Sequence, residues 1–192
     1  MLRGALASIC LLSTVISQAD NTTTVFTKPP LPRYCFPQSE WRGGLAQATF
    51  DYRLILAEGD FIKHGDVFVA FRLKSKPDAL WLYDHNRNWV AYDPNTNPVA
   101  SYSSGTLEAI LQVPIIPQPT DLTALSGDGE LYVGYGLRNN ASATVQDSFQ
   151  EMLSNQRYSL VWEIGPQEPM WTSVCLTVTQ VDEMSSIGTA SQ

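Results

Sequence analysis

Short runs in which apolar side chains fall on every second residue dominate this chain, and that period belongs to a strand with one buried face. Phe50, Tyr52, Leu54 and Leu56 alternate with Asp51, Arg53 and Ile55, and Val67, Val69, Phe71 and Leu73 alternate with Phe68, Ala70 and Arg72. Comparable runs at 79–84, 88–93, 106–116, 130–138 and 159–164 are bounded by Pro, Gly, Asn or Asp. With a last run from Trp171 to Val181, the chain reads as about eight strands. His85-Asn86-Arg87-Asn88 separates two aromatic runs and Asp128-Gly129 precedes Glu130; both are hairpin turns in composition, not crossover connections. The expected fold is all-β, an antiparallel β-sandwich. One short helix is expected from Gln146 to Arg157, where Ser148 and Glu151 have capping-box spacing and Phe149, Met152 and Leu153 share a face.

The ends of the chain have other compositions. Arg3, an apolar run from Gly4 to Ile16 and then Ser17-Gln18-Ala19 read as a cleavable signal peptide over residues 1–19. Ser8, Ser13 and Thr14 interrupt the run, and it falls short of the roughly 20 apolar residues a membrane-spanning helix needs. Residues 20–44 form a Pro- and Thr-rich extended leader, 45–181 the β domain, and 182–192 a polar tail expected to be disordered. The 192 residues carry a net charge of −7, one unit more negative once Arg3 is removed. An acidic balance excludes nucleic acid and anionic membrane as main partners, because both are held by basic surface.

Cys10 leaves with the signal, so Cys35 and Cys175 are the two that remain, and an oxidising compartment would join them in a disulfide. Val174, Leu176 and Val178 share a face and Cys175 falls on the other. The bond is therefore expected to strap the leader across the outer face of the last strand. Two distant thiols with His64 and His85 do not make a zinc site, and neither a metal nor a cofactor is expected.

A search for catalytic groups finds no nucleophile elbow and no adjacent base for Ser103-Ser104-Gly105. Asp84 and His85 are sequence neighbours at a strand-to-turn step, where side chains point apart. Asp51, Asp84, Glu108 and Glu163 are the carboxylates that a hydrolase would have to bring together across a cleft. The aromatic residues say more. In Leu80-Trp81-Leu82-Tyr83 and Trp89-Val90-Ala91-Tyr92 both faces are apolar, so a ring on each run lies on a face the main core does not fill. Across a hairpin, Trp81, Tyr83 and Trp89 lie close enough to stack. They fit three roles: packing under the core or leader, a protein interface, or a sugar-stacking platform with coplanar exposed Trp81 and Trp89.

Asp66-Val67-Phe68-Val69-Ala70-Phe71-Arg72-Leu73, Leu80-Trp81-Leu82-Tyr83 and Gly129-Glu130-Leu131-Tyr132-Val133-Gly134-Tyr135-Gly136-Leu137-Arg138 resemble β-sandwich, immunoglobulin-like modules of secreted and surface-associated bacterial proteins. The resemblance implies a binding or structural module without catalysis; the chain carries it once, unlike an adhesin array. The reading is a secreted or periplasmic, non-enzymatic binding protein. Its partner would be a protein or glycan at the cell surface, met through Trp81, Tyr83 and Trp89. A carbohydrate-binding module and a secreted hydrolase are the alternatives.

Overall fold

The computed structural model describes residues 33–95, 98–167 and 173–177. In them the elements run β1 (Arg33–Pro37), β2 (Ser39–Arg42), β3 (Ala48–Ile55), β4 (His64–Leu73), β5 (Lys76–Tyr83), β6 (Trp89–Tyr92), β7 (Ser103–Thr106), β8 (Ile110–Thr120), β9 (Gly129–Leu137), α1 (Val145–Ser154), β10 (Tyr158–Glu163) and β11 (Ser173–Thr177). The signal peptide, most of the leader and the tail lie outside the described residues. Every strand pairing is antiparallel, so the all-β class is as the alternation required.

β3 shows most directly how pattern becomes structure. Ala48, Phe50, Tyr52 and Leu54 are buried in strict alternation with half-buried neighbours. The strand is the middle member of a three-stranded sheet, β2-β3-β8. β8 contains Pro114, Pro117 and Pro119, which remove ladder donors; it tolerates them as an edge strand that pairs, among the described residues, with β3 alone. The second sheet has the order β10-β9-β4-β5-β6, and β7 pairs with the first part of β4. Inward residues of β3 and β8 join those of β4, β9 and β10 in one core that includes Phe50, Val67, Val69, Val113, Ile115, Leu131, Val133 and Trp162.

β4 is buried on both faces. Val67 and Val69 enter that core, while Phe68 points the other way into a second cluster with Leu82, Val99, Phe149 and Met152. This second cluster forms because α1 lies on the outer face of the larger sheet. β9 admits it at Gly134 and Gly136: a Cβ on Gly134 would come within 2.6 Å of the Arg157 carbonyl oxygen, and one on Gly136 would collide with the Ser148 carbonyl.

Three local expectations change. The run 106–116 is not one strand: β7 pairs with β4 and β8 with β3. The chain changes sheets at Leu107, which is buried and bonded through its N–H to Lys63 and through its carbonyl to Ile62. The helix is capped by Thr144 with Asp147 and not by Ser148 with Glu151. Ser148 is fully buried instead, and Glu151 accepts the N–H of Leu137 at 2.8 Å. Of the three apolar residues given to one face of the helix, Phe149 and Met152 are buried and Leu153 is exposed. Finally, the end of the leader does not cross a face of the last strand. β1 runs beside β11 as an antiparallel pair with Cys35 directly opposite Cys175, and β2 belongs to the β3 sheet.

Candidate functional site: an aromatic cleft

The β5–β6 hairpin places the aromatic residues. Asp84 and Asn88 close it: the Asp84 carboxylate accepts the Asn88 N–H at 2.8 Å and the Asp84 N–H donates to the Asn88 carbonyl at 2.9 Å. Arg87 takes the left-handed conformation that the turn requires. The register then puts Tyr83 opposite Trp89 and Trp81 opposite Ala91, while β4 brings Phe71 opposite Trp81. Directly opposed residues share a face, so Phe71, Trp81, Tyr83 and Trp89 all stand on the inner side of the larger sheet. The sequence expectation of cross-strand neighbours is met, with Tyr83 and Trp89 centroids 4.7 Å apart.

These rings touch in succession. Phe71 lies 5.6 Å from Trp81 and 5.9 Å from Trp89, and Tyr83 is stacked on Tyr102 at 6.1 Å. The Arg87 guanidinium covers the outer face of Tyr102 at 3.7 Å, closing that end of the row. Tyr83 is buried, Trp81 half-buried, and Trp89 is 41% exposed. Ring planes meet at 33° for Tyr83 and Trp89, 43° for Phe71 and Trp81, and 63° for Phe71 and Trp89. Neighbouring rings in the row are therefore inclined to one another.

The aromatic wall faces a cleft of about 600 Å³. Its far side is aliphatic, made by the second half of β8 with Ile115, Ile116 and Pro117, and by Leu122 and Leu125 of the turn that follows. The cleft is bordered by residues of β4, β5 and β6 from the larger sheet and by β8 with its following turn from the smaller one. Its volume lies in the range of small-molecule sites, which are concave and largely apolar. Gln118, Thr120 and Asp121 supply polar groups in the lining.

Buried charges elsewhere are used structurally. Asp66 accepts two hydrogen bonds from Arg138, at 2.8 and 2.7 Å, and a third from Ser104. Burial opposes ionisation of Asp66, but these donors outweigh it and hold the carboxyl below the ordinary carboxylate range. Glu130 behaves in the same way: burial is overcome by Arg72 at 2.6 Å and by the Tyr132 hydroxyl at 2.9 Å. Asp60 accepts the Tyr135 hydroxyl at 2.9 Å and pairs with Lys63 and Arg157 at 3.2 Å. Asp66, Glu130 and Asp60 are each tied to an arginine in this way. Ser104, which has no sequence-adjacent base, spends its hydroxyl on Asp66.

The four carboxylates considered for hydrolysis sit on different elements. Asp84 is held in the β5–β6 turn, Glu163 pairs with Lys74 at 2.9 Å, Asp51 lies on β3 and Glu108 in the β7–β8 connection. His64 opens β4 and His85 sits in the hairpin turn, both exposed. Among the described residues no three His, Cys, Asp or Glu side chains gather as a metal site, and no helix is long and apolar enough to cross a membrane.

The chain matches no family model, no characterised protein and no solved structure. The cleft is the candidate site. Sequence reasoning named three of its aromatic residues. It missed Phe71, which looked like ordinary core, and the whole aliphatic wall, since nothing in a Pro-rich strand shows which sheet it will face.

Proposed function

We propose that this is a secreted, non-enzymatic binding protein, an immunoglobulin-like β-sandwich that takes its ligand in the cleft lined by Phe71, Trp81, Tyr83 and Trp89. The observation that carries this reading is the uncovered inner face of β5 and β6. A row of large rings beside a cavity is expensive to leave solvated and becomes favourable when a ligand fills it. The angled rings favour a compact ligand held between two walls over a flat polysaccharide. The test is binding to a panel of glycans, cell-wall polymers and small apolar fluorophores, repeated with Trp81→Ala and Trp89→Ala. Each variant is expected to weaken binding at least tenfold, about 1.4 kcal/mol. Ligands whose affinity is unchanged in both variants would place the site elsewhere.

We also propose that Cys35 and Cys175 form a disulfide that joins β1 to β11. Their direct opposition in an antiparallel pair supports this, because opposed Cα atoms are about 4.5–5.5 Å apart and disulfides span about 4.4–6.8 Å. Closing so long a loop is expected to stabilise the fold on the order of 3–5 kcal/mol. Alkylation of the unreduced, denatured protein is expected to label neither residue in the mass spectrum. Quantitative labelling of both would overturn the bond.

A further inference from the structure

The cleft has a charge preference built into its walls. Among the described residues that line it, Asp121 alone carries a formal charge. Its Oδ1 accepts the Thr123 N–H at 2.9 Å and the Thr123 hydroxyl at 2.6 Å. These bonds, the hydroxyl first, hold the carboxyl below its ordinary range, and it is ionised at neutral pH. Both go to the same oxygen. The opposite wall is aromatic, and ring faces carry the negative side of a quadrupole. An anion entering the cleft meets an exposed carboxylate, aromatic rings and a chain of net negative charge; a cation is attracted by the carboxylate and by any ring face it reaches.

We infer that the cleft selects an organic cation, a quaternary or alkylated ammonium with an apolar body, over neutral and anionic molecules of the same shape. This rests on the proposal that the cleft is the binding site, and it adds the ligand's charge and class. The tilts between the rings support it independently of Asp121. Neighbouring ring planes are set at 33° to 63° to one another, so a rounded ammonium head can meet rings in more than one plane, whereas a flat ring would contact one. The aliphatic wall of Ile115, Ile116 and Leu122 accommodates the apolar body.

The experiment compares three probes that differ in charge: phenyltrimethylammonium, tert-butylbenzene, which replaces the ammonium nitrogen by carbon, and benzenesulfonate. Binding is read from the indole NMR signals of Trp81 and Trp89, in the parent protein and in Asp121→Asn. Asparagine keeps the Oδ1 acceptor for Thr123, so the turn is retained. The cation is expected to bind about tenfold more tightly than its carbon isostere, with benzenesulfonate weakest. Asp121→Asn should reduce the cation's advantage about fivefold and leave tert-butylbenzene unchanged. Equal affinity for the cation and its isostere in the parent protein overturns the charge preference while leaving the cleft as a binding site. A preference that survives Asp121→Asn undiminished overturns the part assigned to the carboxylate. If none of the three probes moves either indole signal, the cleft reading fails and this inference with it.

Discussion

Asp66→Ala is expected to cost the protein about 3–5 kcal/mol of unfolding free energy in a urea titration. The residue is fully buried at the meeting point of three strands. It stands on β4 and accepts from Arg138, just beyond β9, and from Ser104 on β7. Removing the carboxylate leaves the Arg138 guanidinium, 21% exposed, without the partner that is itself wholly buried. That uncompensated charge, more than the lost contacts, sets the size of the effect. The double variant Asp66→Leu with Arg138→Met should recover much of the loss, because it removes both charges. A single-variant cost below about 1 kcal/mol would mean that the pair is solvated.

The same residue shapes the acid limb of stability. Its folded-state pKa lies below the unfolded-state value of about 3.9, so below neutrality the unfolded chain binds a proton more readily than the folded one. The contribution is fully present above the unfolded-state value and is lost as pH falls through the lower, folded-state value. Glu130, also lowered, adds a second step of the same sign. Stability measured from pH 6 to pH 2 should therefore fall less steeply in Asp66→Asn and in Glu130→Gln than in the parent, starting from a lower value.

Gly136→Ala is expected to be as damaging as loss of a buried charge, about 3 kcal/mol or more, although it adds a single methyl group. Overpacking of a core by flexible side chains costs about 1–3 kcal/mol, but here the obstacle is backbone. The new Cβ would fall on the carbonyl of Ser148 and within 2.7 Å of the Ser148 hydroxyl oxygen. α1 would have to lift from β9, which would open the contact between Phe68 and Phe149, now 5.2 Å between centroids. The Leu137 N–H would also lose the Glu151 carboxylate. Gly65→Ala is the matching control on the other side of the ladder, since its Cβ would meet the Gly136 carbonyl and the Leu107 side chain. A shift in urea midpoint equivalent to less than about 1 kcal/mol for Gly136→Ala would show that the helix seat is soft. The edge-on contact is expected to shift a Phe68 or Phe149 ring signal upfield, and that shift should be lost with the destabilisation.

Residues with a local cause were legible. Alternation in β3 and β9, the turn at 85–88 with its two Asn residues and a short helix before β10 follow from side-chain period and turn chemistry, and the cross-strand meeting of Tyr83 with Trp89 follows from the hairpin they flank. Even within these elements the details depended on neighbours. Thr144 and not Ser148 caps α1, because Ser148 was needed against Gly136, and both have suitable capping chemistry. Reading 106–116 as one strand failed at Leu107 for a comparable reason: the alternation continues across a point where the chain changes sheets, and a change of partner leaves no mark on side-chain period.

The all-β class, most of the strand positions and the identity of the aromatic residues are encoded in neighbours a few positions apart. Which faces those residues share, and what remains uncovered, was set only when distant strands paired. Leu82 became core, with Leu80 and Tyr92 packed beside it, because α1 and the segment at Val99 came to lie against them. Trp81, Tyr83 and Trp89 border a cleft because β8 and the turn after it, from another sheet, come to line the same space. Asp66 found Arg138 at a separation of 72 residues. Pairing between distant strands sets all three, and its energy comes from burial and ladder hydrogen bonds that no local window contains.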